Sequence, residues 1–208
     1  MSEKPNPFVP GQTALAPPVE PGMHPGICVG LYDIGTHVDQ VFNKKKRKYV
    51  IEFELPAADP KTLEDGTVVP RTLSTTVTAS MHPKGMLRPL LEGWRGKTFT
   101  EGEANSYDIS KILGKPAQLN VVHDSKNGKT YANIKTVNPA PKGSNPTPKI
   151  TPATWSVTSL DDASELEQVD IPEWVKKRVA ESEEYKNLRA RTNQSQQDSG
   201  GDVSPEDF

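Results

Sequence analysis

The chain has a single cysteine, Cys28. No intrachain disulfide can form, which fits a reducing compartment. No run of 18 apolar residues occurs and the first residues lack an apolar signal core, so the expectation is a soluble, cytoplasmic protein with no membrane association. Aromatic residues make up 6% and hydrophobic residues 33% of 208 positions, while proline counts 20. A good part of the chain is therefore expected to lie outside any core. There is no Gly-rich phosphate loop ending in Lys-Ser/Thr. His24, His37, His82 and His123 are scattered with no cysteine pair beside them, which argues against zinc. Asp33, Asp39, Glu52, Glu54 and Asp108 have no spacing that favours a metal-dependent nuclease. No catalytic residue, metal or cofactor is expected, and Cys28, in an apolar strand, reads as inert.

Positive charge is what the middle of the chain does have. The net charge is −2 overall, but it is −1 over residues 1–25, +6 over 26–150 and −7 over 151–208. A basic body followed by an acidic segment suggests a polyanion-binding surface. The densest patch is Lys44-Lys45-Lys46-Arg47-Lys48, read as a loop running straight into a strand, Tyr49 to Leu55. Alternation places Tyr49, Ile51, Phe53 and Leu55 on one face, with the last three in the core. Val50, Glu52 and Glu54 fall on the other, taken as exposed.

Five segments are expected. Residues 1–25 form a flexible Pro-rich arm. Residues 26–138 form the folded domain. Its first strand lies within Gly26 to Gln40, the second is Tyr49 to Leu55, and a polar loop runs from Pro56 to Pro70. The third strand is Arg71 to Ser80, rich in β-branched residues. Leu87, Leu90, Leu91 and Trp94 then make a short helical stripe, with Trp94 in the core. Asp108 caps a second short helix through Leu113. Leu119 to His123 is a fourth strand, Asn127-Gly128 a hairpin turn, and Tyr131 to Val137 a fifth strand. Residues 139–154 read as a Pro-rich linker. Residues 155–191 hold an extra strand and an amphipathic helix that starts with Pro172 in its first turn. Residues 192–208 read as a disordered acidic tail.

The order strand, strand, strand, helix, strand, strand matches a mainly β fold, an OB-fold-like five-stranded Greek-key barrel. Such a barrel binds single strands across strands two and three, between the loops joining strands one to two and four to five. Here those loops carry Lys44–Lys48 and Lys126 with Lys129. Tyr49 and Tyr131 stand beside them and could stack on bases. Arg95 and Lys97 could extend the basic surface. Phe53, Trp94 and Tyr107 are further aromatic candidates, the first two reading better as core.

Several segments resemble a group of bacteriophage proteins of similar size: Ser80-Met81-His82-Pro83-Lys84-Gly85-Met86-Leu87-Arg88, Leu91-Glu92-Gly93-Trp94-Arg95-Gly96-Lys97, Tyr107-Asp108-Ile109, Leu113-Gly114-Lys115-Pro116 and Leu119-Asn120-Val121-Val122-His123. The likeness covers roughly Gly26 to Val137 and is to phage single-stranded DNA-binding proteins with an OB-fold. It implies single-stranded DNA as the ligand, a role in DNA replication or recombination and, if the chain is phage-encoded, the host cytoplasm. The end of the chain, with Asp202, Glu206, Asp207 and Phe208, is similar to the acidic tails by which such proteins recruit replication and repair enzymes. The expectation is a sequence-nonspecific DNA-binding protein, with an OB-fold adaptor of the replisome or recombinase as the alternative. A homo-oligomer is compatible with either.

Overall fold

In the computed structural model of the chain, the described residues are 17–39, 43–63, 65–144 and 146–198. They form a mainly β protein built on an open antiparallel sheet, with helices added after the third and fifth long strands. The strands are β1 (Gly22–Asp39), β2 (Lys44–Glu54), β3 (Lys61–Thr62), β4 (Val68–Val69), β5 (Thr72–Thr78), β6 (Pro116–Lys126), β7 (Lys129–Pro139) and β8 (Ala153–Ser156). The main sheet runs β5-β2-β1-β6-β7, with β8 also paired to β1; β3 and β4 form a separate hairpin inside the expected polar loop. Among the described residues, no helix is long and apolar enough to cross a membrane.

The described chain divides into two compact units, and the division is not the linear one expected. One unit holds residues 17–30, 51–75 and 80–153; the other holds 31–50, 76–79 and 154–198. β1 and β2 each contribute one part to the first unit and another to the second. Their buried stretches are mostly apolar but include Asp33 in β1 and Glu52 and Glu54 in β2. Gly26 to Gly35 is buried without a break, as a strand covered on both faces must be.

In the first unit β1 opens earlier than expected. Gly22 pairs with Val121, and the register continues to Ile27 opposite Pro116. Val19 is buried, and its carbonyl meets His123 Nε2 at 2.8 Å. Residues 17–25 are therefore built into the fold rather than lying in a free arm, while 1–16 are outside the described residues. Ile27, Ile51, Phe53, Leu55, Leu91, Leu119 and Val137 are buried here. Sealing a side chain such as Phe53 from water contributes about 1.5–3 kcal/mol. Helix α1 (Leu87–Arg95) buries Leu87, Leu91 and Trp94, as its periodicity predicts. Phe53 meets the Trp94 ring at 5.2 Å between centroids. A Cβ on Gly93 would come within 2.9 Å of the Val137 carbonyl oxygen, so only glycine lets α1 lie this close to β7.

Helix α2 (Glu101–Ser106) was not expected. Thr100 and Glu103 form a reciprocal capping box at its start, the pattern Thr-x-x-Glu that marks a helix N-terminus. Asp108 caps a short 3-10 helix, Ile109–Ile112, as anticipated. Two expectations fail for one reason. Glu54 was assigned to an exposed face and residues 139–154 to a free linker. Instead Glu54 is 1% exposed. Its carboxylate accepts the Lys149 amide at 2.9 Å and the Ile150 amide at 2.8 Å. A buried carboxylate needs such donors, and the Pro-rich segment supplies them while being tied down. Glu52 (5% exposed) and Val50 (0%) are likewise buried rather than exposed.

The second unit has its own core of Tyr32, Ile34, Val50, Val157, Leu160, Leu166, Ile171, Val175 and Val179. The C-terminal segment builds most of it. Ser156 and Asp162 cap the 3-10 helices Val157–Ser159 and Ala163–Glu167. Helices α3 (Glu173–Ala180) and α4 (Glu183–Asp198) follow, broken at the buried Ser182. Pro172 sits at the N-cap, one residue before its expected place in the first turn. α4 carries helix through Asp198, so the disorder expected from Thr192 does not apply to 192–198. Residues 199–208 lie outside the described residues.

Candidate nucleic-acid interface

The basic run is itself strand, not loop: Lys44–Lys48 opens β2, in the second unit. Strand geometry sends its cations to carboxylates of the same unit. Lys45 Nζ lies 2.8 Å from Glu183, and Lys46 Nζ lies 3.1 Å from Asp39. Arg47 grips Asp33 with Nε at 3.0 Å from Oδ1 and 3.1 Å from Oδ2, and with its terminal nitrogen on Oδ2 as well. Asp33 also accepts the Ser156 hydroxyl at 2.8 Å and the Gly35 amide at 3.2 Å. Burial alone raises the Asp33 carboxyl. The hydrogen bonds from Arg47, Ser156 and Gly35, with the charge of Arg47, more than offset it and hold the group below the usual carboxylate range. The bond to Asp33 in turn raises Arg47. Lys44 is exposed, while Lys48 and Tyr49 are half-buried.

The second basic element is the end of the β6–β7 hairpin, in the first unit. Asn127 and Gly128 both take positive φ, 52° and 72°, the geometry of the two-residue turn their sequence announces. Lys126 stands directly opposite Lys129, and Asp124 opposite Tyr131. Residues 123–131 are all exposed, and Tyr131 shows 48% of its surface. Asn133 donates to Asp124, the carboxylate nearest the tip in sequence, at 2.8 Å. Among the described residues, Lys126 and Lys129 have no ion pair.

Arg95 and Lys97, also in the first unit, lie around Glu103 at 3.9 and 3.8 Å. Arg95 further stacks on the Phe99 ring, 3.9 Å from its centroid. Tyr107 packs edge-on against Phe99 and is half-buried. Lys97 remains largely exposed. Phe53 and Trp94 are core, so neither offers a stacking face. The expected tail residues Asp202, Glu206, Asp207 and Phe208 lie outside the described residues.

The structure thus gathers Lys44 to Lys48 and Tyr49 in one unit, and Lys126, Lys129, Tyr131, Arg95 and Lys97 in the other. Sequence reasoning missed the carboxylates that meet the basic strand. Asp33 and Asp39 lie on β1, and Glu183 is more than 130 positions away. Sequence reasoning also left Lys111 and Lys115 out; both are exposed around the 3-10 helix that Asp108 caps. Cys28 is buried, and burial pushes its thiol up to about 12, so it is unreactive at neutral pH. Among the described residues, no group of three or more His, Cys, Asp or Glu could hold a metal ion. No protein-family model matches the chain, and no curated protein matches it significantly.

Proposed function

We propose that the chain is a sequence-nonspecific single-stranded DNA-binding protein with an OB-type core, acting in phage DNA replication or recombination within the host cytoplasm. Support for the core comes from strand order. Counted along the chain, the five long strands lie third, second, first, fourth, fifth. Within that path the order four-one-two-three is a Greek key, the wiring of the partly open OB barrel.

The observation that carries the DNA reading is the hairpin end. Two lysines face each other across the strands beside an exposed tyrosine. Like charges directly opposite destabilise a strand pair, and a bound phosphate backbone removes that cost. Lysines then release counterions, and Tyr131 stacks on a base, with little sequence preference. Lys97 adds to the basic surface of the first unit in this reading, Lys44, Lys48 and Tyr49 are phosphate and base contacts of the second unit taken by itself, and residues 199–208 recruit replication or recombination proteins.

Anisotropy titration of a labelled dT oligomer, with a duplex of equal length alongside and at two salt concentrations, tests this. Tighter binding of the single strand, weakening with salt, is expected. Equal affinity for duplex, or no salt dependence, contradicts it.

One observation favours the adaptor reading. Three of the five cations in Lys44–Lys48 already pair with carboxylates of the chain, which leaves less charge for a polyanion. An unmodified protein that binds no oligonucleotide would select it.

A further inference from the structure

Leu91–Lys97 and Tyr107–Pro116 are among the segments that carry the resemblance to phage proteins. In the first unit they line one cavity of about 490 Å³ with the Pro139–Ser144 segment, within the size range of ligand sites. Leu91, Trp94, Ile112, Pro116, Pro139 and Pro141 give it apolar walls. Arg95, Lys111 and Lys115 add three cations, and no carboxylate belongs to the lining. Three acids near these cations are outside it: Glu103, 3.9 Å from Arg95, Glu92, whose carboxyl also feels the charge of Arg95, and Asp108, whose carboxyl feels the charge of Lys111. Trp94 Nε1 donates to the Pro116 carbonyl at 2.8 Å, fixing the indole as a wall rather than a free donor.

We propose that this cavity is a docking site for a short acidic peptide segment of a partner protein, with one apolar or aromatic side chain as its anchor. Charge complementarity selects this occupant: the anchor fills the apolar interior, and flanking carboxylates meet Arg95, Lys111 and Lys115. A nucleobase fits the walls less well. The cations could meet its acceptors, but its N–H donors would find only the Tyr107 and Ser144 hydroxyls as side-chain acceptors in the lining, and unpaired groups oppose burial. The inference goes beyond the DNA-binding reading and does not rest on it.

The test uses the full chain and a fluorescein-labelled acidic heptapeptide with a central phenylalanine. Saturable binding is expected. It should weaken about tenfold or more when the phenylalanine becomes serine, and equally in the double variant K111E/K115E. Both lysines are exposed, so the fold should survive; circular dichroism checks this. A second variant, S144W, fills the cavity without changing charge and should also abolish binding. Unchanged affinity in both variants, or indifference to the phenylalanine, overturns the proposal. So does displacement by thymidine monophosphate as effective as by unlabelled peptide, which would make the cavity a nucleotide site. A chain ending at Asp198 that binds the probe about tenfold tighter would name the chain's own terminus as the occupant, and also overturns it. Oligonucleotide binding by the hairpin variant K126E/K129E is read separately, so a failure of the DNA reading leaves this result standing.

Discussion

The two basic segments of this protein read alike as phosphate-binding loops in the sequence and differ in the fold. Lys44–Lys48 has five consecutive cations, yet the strand that carries it delivers Lys45, Lys46 and Arg47 to Glu183, Asp39 and Asp33. The tip at Lys126–Lys129 has two cations, and they face each other with no carboxylate between them. Charge counted along a chain is not charge available to a ligand. The denser run is largely paired within the second unit, and the sparser one has no ion pair among the described residues.

The sharpest way to break that contrast is Arg47→Ala. If Arg47 is structural, its loss strands Asp33, 9% exposed, and should cost roughly 2–3 kcal/mol of stability in denaturant unfolding. Oligonucleotide affinity should change little beyond that. A stable variant with lost DNA binding would place Arg47 in the interface instead. Next comes Tyr131→Ala at the hairpin end. It should weaken oligonucleotide binding by about 1–2 kcal/mol, the worth of a stacked base, with the melting curve unmoved.

Acid should weaken the second unit. The Asp33 and Glu184 carboxyls both lie below their ordinary range. For Glu184, burial raises it, but the Thr36 amide and hydroxyl, each at 2.7 Å, prevail. A depressed carboxylate stabilises the fold above its unfolded pKa, and that contribution disappears as pH falls through the folded value. Hydrogen exchange should therefore show residues 154–198 losing protection as pH drops below about 4. The smallest effect belongs to Lys45→Ala. This side chain is 68% exposed, so breaking its ion pair should shift stability by less than about 0.5 kcal/mol.

Much of the first unit was legible because local signals agreed with the fold. The stripe Leu87–Trp94 became α1, Asn127-Gly128 became the turn, and Asp108 capped its helix. The capping box at Thr100 and Glu103 was equally legible and was overlooked. What could not be read locally was everything set by a distant partner. Alternation assigned Val50 and Glu54 to solvent, but Val50 enters a core completed by Val157 to Val179, and Glu54 is satisfied by amides 149 and 150. The C-terminal segment looked like an appendage because its apolar residues, Leu160, Leu166 and Ile171, sit in 3-10 turns and bends that follow no single period. Of the candidate site, the hairpin end was found from sequence. The neutralisation of the basic strand was not, since Glu183 lies far along the chain.

The most direct test compares salt dependence in two charge-reversal variants, K126E/K129E and K45E/K46E, titrated with the same dT oligomer. Each phosphate contact on a single strand contributes about 0.7 to the slope of log affinity against log salt. Losing the two hairpin lysines should flatten that slope by about 1.4 and weaken binding strongly at low salt, while the strand variant keeps the parent slope. A parent-like slope in the hairpin variant, with the slope lost in the strand variant, would contradict the account.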